Sequence, residues 1–268
     1  IRTLNAVRQR LSRLKGGGLA RAAAPARVVN LIISDVIGNA LPVIASGPTV
    51  PPDADDGRLL DEPTIQAVWD RLPAAVRARL SLRPVPSTAP TNVVQSVVLA
   101  DAAVAARAAA AAAGWLGLRP VVLATDFQGE ARELGAFWAA VARHARLTGA
   151  PFAAPVCLIG AGESTVTVRG DGLGGRNTEM ALAAALRMVD VPGLAVASLA
   201  TDGDDAGTGA AGGVVVGGTV AALRTAGIDP QRSLARNDSA TALRAVGGLI
   251  VTGPTETNVN DLYLAVMP

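Results

Sequence analysis

The sequence predicts an α/β fold with mostly parallel sheets, and three observations support this. Apolar runs of strand length alternate with helix-like runs in both halves of the 268-residue chain. Half of the residues are hydrophobic but only 3% are aromatic, so Ala, Val and Leu must build the core. Glycine becomes dense after Gly149-Ala150-Pro151. This change of texture predicts two domains, residues 1–150 and 151–268.

The first half is predicted to begin with an amphipathic helix, because Leu4, Val7, Leu11 and Leu14 recur at helical spacing. The helix should end at the three glycines 16–18, where glycine can adopt the left-handed cap conformation. The strands are apolar runs of the length expected for buried parallel strands. In order, we expect a strand at 28–34, a Gly/Pro-rich loop at 35–58, a helix at 62–80 interrupted near Pro73, a strand at 92–98, an Ala-rich helix at 99–118, a strand at 120–125 and a helix at 130–147.

The second half is predicted to consist of shorter elements separated by glycine-rich loops. The strands are expected at 155–159, 165–169, 194–200, 214–216, 249–251 and 262–266. The helices are expected at 178–189, 219–226 and 240–246. Cys157 lies inside one apolar run and is expected in the core.

Composition and charge exclude several classes of function. The net charge is only +2, the arginines are scattered, and no basic block with interleaved aromatics is present, so nucleic acid is not the expected partner. No run of ~18 uncharged apolar residues predicts a membrane span. Cys157 is the only cysteine, which fits a reducing, cytoplasmic location. No signal peptide is visible; the chain opens without Met directly into a helix, so we expect that the true N-terminus lies upstream.

Four loops rich in Gly, Asp, Asn and Thr follow strand-like runs or precede helices in the last two-fifths of the chain. They span residues 160–177, 201–212, 237–239 and 252–261. Open α/β folds bind ligands at the edge of the sheet where such loops meet. The four loops therefore predict one polar site.

The first loop ends in the sequence GLGGRN (residues 172–177), directly before a helix. Free amides of Gly174 and Gly175 at a helix start would make an anion site, and Arg176 would add a positive fork. The alternative is a flexible connection with Asn177 as the N-cap. An arginine within the glycine loop favours the anion site.

The second loop begins with the sequence TDGDDAG (residues 201–207). Asp202, Asp204 and Asp205 are close enough in sequence to share a divalent metal, or one of them could act as a base. The alternative is a solvated acidic turn, which is common for Asp-Gly. The spacing alone does not separate these two interpretations.

The other two loops carry neutral polar groups. Asn237-Asp238-Ser239 precedes a short helix and is typical of a helix cap. The loop 252–261 holds Thr252, Thr255, Thr257, Asn258 and Asn260, which suit a sugar acid or a nucleotide but are also typical of an exposed loop.

Three further residues, Lys15, Glu163 and His144, bear on the chemistry of the site. Lys15, the only lysine, would complement a helix dipole or bind phosphate. Glu163 lies between Gly162 and Ser164 and is either catalytic or an edge charge. His144 is the only histidine, which excludes a His-rich metal site.

Nucleotide-binding motifs give a limited signal. No G-x-x-x-x-G-K-[ST] sequence occurs, which excludes a P-loop NTPase. A G-x-G-x-x-G string occurs at residues 170–175, with Asp190 at roughly the spacing of the dinucleotide fingerprint. Asp190 follows a helix rather than a second strand, so a phosphate loop is favoured over a dinucleotide site.

Seven segments, taken in order, resemble the glycerate 2-kinase family whose C-terminal portion is the MOFRL domain. They are residues 5–20 (NAVRQRLSRLKGGGLA), 34–53 (SDVIGNALPVIASGPTVPPD), 129–132 (GEAR), 162–179 (GESTVTVRGDGLGGRNTE), 201–212, 237–239 and 252–262 (TGPTETNVNDL). The resemblance implies a first, Rossmann-like domain with a mostly parallel but incomplete sheet, and a second, mixed α/β MOFRL domain. It also implies an active site in the cleft between them.

The resemblance implies ATP-dependent phosphorylation of D-glycerate to 2-phosphoglycerate, with magnesium. A homodimer is a further expectation. Because some members carry a hydroxypyruvate reductase label, a reductase using NAD(P)H is the alternative. A non-catalytic fragment that binds a nucleotide or sugar acid is a third hypothesis. This chain lacks the N-terminal Gly-Lys-Ala element and glycine-rich Ser-Ala loop that are usual in the family. It also differs within the second polar loop, where Gly209 replaces a carboxylate and Asp204 adds one.

The predicted site consists of catalytic, ligand-binding and metal-binding residues. The predicted catalytic residues are Arg176, Lys15 and Asp202. The predicted substrate- or nucleotide-binding residues are Ser34, Asp35, Ser46, Glu163, Gly174, Gly175, Asn237, Asp238, Thr255 and Asn258. Asp202 and Asp205 are predicted to bind magnesium.

Overall fold

The computed structural model describes residues 2–51, 58–82 and 90–268. The predicted loop 35–58 and the segment 34–53 lie partly outside these ranges. By its internal contacts the chain forms two compact units, residues 1–99 and 100–268. Among the described residues, no helix is long and apolar enough to cross a membrane.

The first unit contains four α-helices, three short 3₁₀ helices and two strands among its described residues. In order they are α1 (Arg2–Leu11), α2 (Gly18–Ala23), β1 (Val28–Ile33), the 3₁₀ helix Ile44–Ser46, the 3₁₀ helix Arg58–Asp61, α3 (Pro63–Gln66), the 3₁₀ helix Trp69–Arg71, α4 (Ala74–Ser81) and β2 (Val93–Ala100). β1 and β2 form a two-stranded parallel sheet. Leu59, Ile65 and Leu80 form a small buried core.

The opening helix is shorter than predicted. α1 ends at Leu11, because the Ser12 hydroxyl accepts hydrogen bonds from the amides of Leu14 (3.2 Å) and Lys15 (3.3 Å) and so replaces the helical partners. Lys15 therefore lies beyond the helix, and the expected interaction with its dipole is wrong. The interruption predicted near Pro73 is confirmed, since Pro73 immediately precedes α4.

The second unit contains six helices and six strands. They are α5 (Ala102–Trp115), β3 (Arg119–Glu130), α6 (Ala131–Thr148), β4 (Val156–Thr165), α7 (Arg176–Arg187), β5 (Ala195–Ala200), β6 (Gly212–Val216), α8 (Thr219–Thr225), α9 (Pro230–Ala235), α10 (Ser239–Ala245), β7 (Leu249–Ile250) and β8 (Asp261–Met267). The sheet order is β3-β4-β8-β5-β6-β7. Only β3 and β4 pair in parallel; the other pairs are antiparallel. The α/β fold class is confirmed, and the mixed sheet agrees with the mixed second domain that the resemblance implies. The mostly parallel arrangement predicted from the alternation of strands and helices is wrong for this sheet, because four of its five strand pairs are antiparallel.

The compact units divide earlier than the boundary that the sequence texture predicts. β3 pairs along its length with β4, from Arg119 opposite Val156 to Glu130 opposite Thr165. Residues 100–150 consequently pack with the second unit. The division into domains 1–150 and 151–268 stays a prediction about domain organisation.

β4 is longer than predicted, because it continues through glycines that the sequence suggested were loop. A side chain at Gly160 would lie 2.9 Å from both Phe127 and Trp138, and one at Gly162 would lie 2.1 Å from the Phe127 carbonyl oxygen. Glycine at both positions lets β4 pack closely against Phe127 of β3 and against Trp138. The separate strand expected at 165–169 is wrong, and the first polar loop begins after Thr165.

α7 is the central helix of the second unit. Its residues from Asn177 to Ala185 are all buried, and the core around it includes Met180, Leu182 and Tyr263. α5 packs separately against β3 and β4, over a cluster that contains Cys157 as expected. Burial raises the pKa of the Cys157 thiol. α7 begins at Arg176, two residues before the predicted start, and so brings Arg176 into its first turn.

The contact between α6 and α7 depends on Gly135. A side chain there would lie 2.2 Å from the Met180 carbonyl oxygen, so the helices could not keep their present distance. We expect Gly135→Ala to destabilise the protein by about 1–3 kcal/mol through overpacking, measured by thermal unfolding. Gly114→Ala in α5 is the matched control, since nothing lies within 4 Å of its added methyl group. An unchanged unfolding temperature in Gly135→Ala would contradict this packing.

Candidate functional site

The four polar loops meet around the start of α7, as the sequence predicts. The amide of Thr255 donates to the Asp202 carbonyl oxygen (3.1 Å), which joins the second and fourth loops. The amide of Arg169 donates to Asn237 Oδ1 (2.7 Å), which joins the first and third. The amide of Asn177 donates to Asp205 Oδ1 (3.0 Å), which joins the first and second.

Arg176, in the first turn of α7, is clamped by Asp261 at the start of β8. Its Nε donates to Oδ2 at 2.6 Å and its Nη2 to Oδ1 at 2.9 Å, a bidentate pair. Asp261 is completely buried, whereas the Arg176 side chain remains 30% exposed. The ion pair therefore fixes the plane of the guanidinium and leaves part of it accessible.

Electrostatics keep Arg176 charged. The hydrogen bonds to Asp261 hold the pKa of the guanidinium above its usual value. Burial raises the pKa of the Asp261 carboxyl, and the hydrogen bonds from Arg176 oppose that effect. Because Arg176 carries its charge at any physiological pH and donates in a bidentate manner, we treat Asp261 as an ionised carboxylate.

Glu163, at the end of β4, lies beside the free side of the guanidinium. Its Oε1 is 4.0 Å from Arg176 Nη1, too far for a hydrogen bond. Asn260 Nδ2 donates to Glu163 Oε2 at 3.2 Å, and the Glu163 side chain is 47% exposed. Glu163 and Arg176 Nη1 are thus neighbouring, accessible groups of opposite charge.

Asp205 caps the N-terminus of α7. Its carboxylate accepts from the amides of Asn177 (3.0 Å) and Thr178 (2.8 Å) and from the Thr178 hydroxyl (2.8 Å). The amide of Gly175 donates to Thr178 Oγ1 at 2.9 Å. The Asp205 carboxylate therefore already accepts the hydrogen bonds of two amides at the start of α7. Phosphate binding by Gly174 and Gly175 stays a prediction, and Asn177 is not the N-cap, which is Gly175.

The three aspartates of the second loop point to different partners. Asp202 is half-buried and accepts from the Asp204 amide (3.0 Å), while Asp204 is exposed and accepts from the Gly207 amide (3.0 Å). Asp205 is only 2% exposed. Within the described ranges, no three His, Cys, Asp or Glu side chains form a group that could hold a metal ion. Magnesium binding by Asp202 and Asp205 stays a prediction.

Asn237 and Asp238 hold neighbouring loops in place. Asn237 Oδ1 accepts from the amides of Arg169 and Gly170 (2.7 and 3.0 Å), and its Nδ2 donates to Glu179 (2.9 Å). Asp238 Oδ1 accepts from the Leu173 amide at 3.0 Å. The sequence pattern favoured a helix cap at Asn237 and Asp238. It did not predict that both side chains form hydrogen bonds with neighbouring loops of the protein.

The fourth loop is exposed at the two residues predicted to bind ligand. Thr255 donates its hydroxyl hydrogen bond to the Thr201 carbonyl oxygen, and Asn258 Oδ1 accepts from the Asn260 amide at 3.1 Å. Both side chains lie at the surface of the second unit. Their binding roles stay predictions.

The predicted residues of the first unit divide into two groups. Lys15 Nζ donates to the Ala45 carbonyl oxygen (2.8 Å), and the adjacent Ser46 donates to Asn5 Oδ1 (3.0 Å). Ser34 follows β1 and accepts from the Val36 amide at 3.2 Å, while Asp35 is exposed. Within this unit Lys15 and Ser46 are neighbours. The predicted cleft that would unite them with Arg176 stays a prediction.

The predicted site residues do not include several polar residues that build the site. These are Arg132, Asn177, Thr178, Glu179, Ser198, Ser239 and Asp261. Ser198 donates to Asn177 Oδ1 (2.6 Å), and Ser239 donates to Thr178 Oγ1 (2.9 Å). The available signal was position, since Asp261 directly precedes an apolar strand and residues 177–179 are polar on an otherwise apolar helix.

The dinucleotide-like string lacks the expected setting. Residues 170–175 begin several residues after β4 ends, and the amides of Gly172 and Leu173 are bonded to Arg236 and Asp238. Asp190 lies in a turn with positive φ (58°) after α7. This geometry gives no support to a dinucleotide fingerprint.

Comparison with known proteins gives consistent matches. The MOFRL family model matches residues 156–261, and a domain of unknown function, DUF4147, matches residues 1–81. A putative hydroxypyruvate reductase of Agrobacterium vitis is 44% identical over 265 residues, covering 98% of this chain and 60% of that protein. A glycerate 2-kinase of Pyrococcus horikoshii is 39% identical over 275 residues, covering 100% and 62%. The crystal structure of a Thermotoga maritima glycerate kinase superimposes with a TM-score of 0.87 at 37% identity, covering 99% and 63%.

The chain thus spans somewhat less than two thirds of the length of these three relatives. The matches extend over nearly the whole chain and include both units. The chain belongs to the glycerate 2-kinase family that carries the MOFRL domain.

Proposed function

We propose that this chain forms part of a glycerate 2-kinase, which transfers a phosphoryl group from ATP to D-glycerate to give 2-phosphoglycerate. The observation that supports this most directly is the clamped guanidinium of Arg176. It lies at the start of a helix, where four polar loops converge. The names of the P. horikoshii and T. maritima relatives support the same activity.

Phosphoryl transfer depends mainly on positioned positive charge rather than on covalent chemistry by the protein. Arg176 meets this requirement because Asp261 holds its Nε and Nη2, so the guanidinium is oriented before a ligand binds. Its Nη1 makes no hydrogen bond to Glu163 at 4.0 Å and can donate to a phosphate oxygen. In this proposal Arg176 stabilises the charge that develops on the transferred group.

Glycerate offers hydroxyl groups that need an acceptor. Glu163 is half-exposed, oriented by Asn260, and adjacent to Arg176. A carboxylate in that place can accept the hydrogen bond of the attacking hydroxyl. Thr255 and Asn258 would supply neutral contacts from the fourth loop.

Magnesium enters the proposal together with ATP. When bound, it would supply positive charge that offsets the charge of the phosphates. Magnesium often needs only one or two protein carboxylates in addition to substrate phosphates. Asp202 fits this role, since its half-buried carboxylate receives a single amide hydrogen bond. Asp205 would first have to release the start of α7.

Hydroxypyruvate reduction is the second candidate, because the A. vitis relative bears that name. It requires a site for NAD(P)H, and within the glycine string at residues 170–175 the amides of Gly170, Gly172, Leu173 and Gly175 are bonded within the protein. A binding fragment without turnover is the third. Kinase activity is favoured over both by the geometry of Arg176.

One pair of assays separates the three candidates. Enolase converts 2-phosphoglycerate, and its product is followed by absorbance after incubation of the protein with ATP, magnesium and D-glycerate. Reduction of hydroxypyruvate is followed separately by loss of NADH absorbance. We expect a signal in the first assay only. The same measurements on a protein extended to the length of the relatives show whether further residues are needed for turnover.

Activity only in the second assay would establish the reductase and refute the kinase. If this chain and the extended protein both bind ATP or glycerate by calorimetry but show no turnover, the third candidate, a non-catalytic binding fragment, would be established.

A further inference from the structure

Glu179 is a buried carboxylate outside the group of residues that would touch substrate. It lies in the first turn of α7, two helical positions beyond Asn177, and is only 1% exposed. A buried charge is tolerated only when it is paired and hydrogen-bonded. The partners of Glu179 therefore indicate what its burial serves.

Arg132 is the first of these partners. Its Nε and Nη2 both approach Glu179 Oε1, at 2.8 and 2.7 Å, and its side chain is 19% exposed. Arg132 is the second residue of α6 and belongs to the segment 129–132, to which the proposed function gives no role. Its Nη2 also donates to the Leu234 carbonyl oxygen at 3.3 Å, at the C-terminal end of α9.

Asn237 is the second partner, and its side chain is oriented by the carboxylate. Its Nδ2 donates to Glu179 Oε2 at 2.9 Å. Because only the amide nitrogen can donate to a carboxylate, Oδ1 must point the other way, towards the amides of Arg169 (2.7 Å) and Gly170 (3.0 Å). Asn237 also has a positive φ of 57°, a conformation that is uncommon for a residue other than glycine.

The first polar loop rests on the backbone that Asn237 holds. The Gly172 amide donates to the Arg236 carbonyl oxygen at 3.0 Å. A side chain at Gly170 or Gly172 would lie 2.3 and 2.7 Å from that same oxygen, so the contact admits only glycine. Four residues after Gly172 the chain reaches Arg176. The loop therefore leads from this contact directly into the start of α7.

We propose that Arg132 and Glu179 are positioning residues that orient Asn237 and, through it, hold the glycine loop ahead of Arg176. The kinetic part of this inference rests on the proposed function, whereas the structural part does not. Neither residue touches substrate in the proposal. Their effect passes through the Asn237 side chain to the Arg169 and Gly170 amides.

The test exchanges the hydrogen-bond donor and acceptor between Asn237 and Glu179. In Asn237→Asp, two carboxylates face each other at the present 2.9 Å contact. In the double variant Asn237→Asp/Glu179→Gln, the glutamine amide donates to the new aspartate. The net charge of the wild type is then preserved, and the contact between residues 179 and 237 again has one donor and one acceptor. The longer hydrogen bond from Asn237 Nδ2 to the Thr167 carbonyl oxygen (3.4 Å) is lost in both variants that carry Asn237→Asp. Both substitutions keep the shape of the side chain.

Amide hydrogen exchange at Arg169 and Gly170 is the direct readout. We expect exchange at these amides to accelerate at least about tenfold in Asn237→Asp and in Glu179→Gln, corresponding to about 1.4 kcal/mol of local opening. In the double variant, exchange should return to within about threefold of wild type. A purely structural role would instead accelerate exchange across α7 and the sheet in the same proportion.

The kinetic readout is turnover in the enolase-coupled assay. We expect kcat to fall in each single variant with little change in the KM for glycerate, and to recover in the double variant. Asp171→Asn is the matched control. It breaks the exposed Asp171–Arg236 pair (2.7 Å), which joins the same two loops, and should leave exchange and turnover unchanged.

Two outcomes would overturn the inference: no faster exchange at Arg169 and Gly170 in the single variants, or no recovery in the double variant. If Asn237→Asp does not fold, recovery of folding in the double variant supports the inference, and its absence refutes it. Absence of kinase activity from the wild-type protein at both lengths would refute the proposed function alone, because the exchange measurements would still decide this inference.

Discussion

Arg176→Ala is expected to lower kcat/KM for phosphoryl transfer roughly 30- to 1,000-fold. This corresponds to a loss of about 2–4 kcal/mol of transition-state stabilisation. The reason is the loss of a fixed cation whose plane Asp261 has already set. The measurement is steady-state kinetics in the enolase-coupled assay. Arg187→Ala, an exposed arginine at the other end of α7, is the matched control and should have no effect.

Loss of activity in Arg176→Ala must be separated from loss of folding. The substitution leaves Asp261 buried without its partner, which typically costs about 3–5 kcal/mol of stability. Arg176→Lys retains the charge but not the bidentate fork, so we expect it to fold better and still lose most of the activity. Near wild-type turnover in a folded Arg176→Ala variant would refute the assignment.

Asp205→Ala is expected to cause the second large effect, a loss of stability. The change strips the amides of Asn177 and Thr178 of their acceptor in a buried place, which costs about 1–3 kcal/mol for each unsatisfied group. For a unit of this size, each kcal/mol lowers the unfolding temperature by roughly 2–4 °C. Thermal unfolding measured by circular dichroism is the test.

Asp204→Ala provides the comparison, because Asp204 is exposed and accepts only from the nearby Gly207 amide. We expect its unfolding temperature to change little. Equal effects of the two substitutions would show that Asp205 does not cap α7. A magnesium-dependent rise in the stability of wild type that is lost in Asp205→Ala would instead favour the metal role predicted from the sequence.

Local sequence patterns predicted the order of elements well. Hydrophobic periodicity identified the strands and helices of the second unit, apart from α9, which is only six residues long. The main error in that unit was the end of β4. Gly160 and Gly162 indicated a loop, although their role is to let the strand pack against Phe127. Such packing depends on residues distant in sequence and cannot be read locally.

The candidate site was predictable as a region but not as a network. Glycine, aspartate and asparagine loops indicated where polar groups would gather, and the structure brings them to the start of α7. The partner of each side chain was not predictable. Asp205 and Thr178 are 27 positions apart, and Arg176 and Asp261 are 85 apart. Only the sheet order, with β8 beside β4 and β5, makes the second of these pairs possible.

The central place of β8 bears on how the protein is made. β8 follows the other five strands of its sheet in sequence, yet it lies between β4 and β5 in the middle of that sheet. While a ribosome still holds these residues, a nascent chain would lack the strand that joins the two halves of this sheet. Asp261 would also be absent, so Arg176 would be without its partner. Assembly of the site therefore has to wait for β8, and until β8 is in place the chain exposes the unpaired edges of β4 and β5.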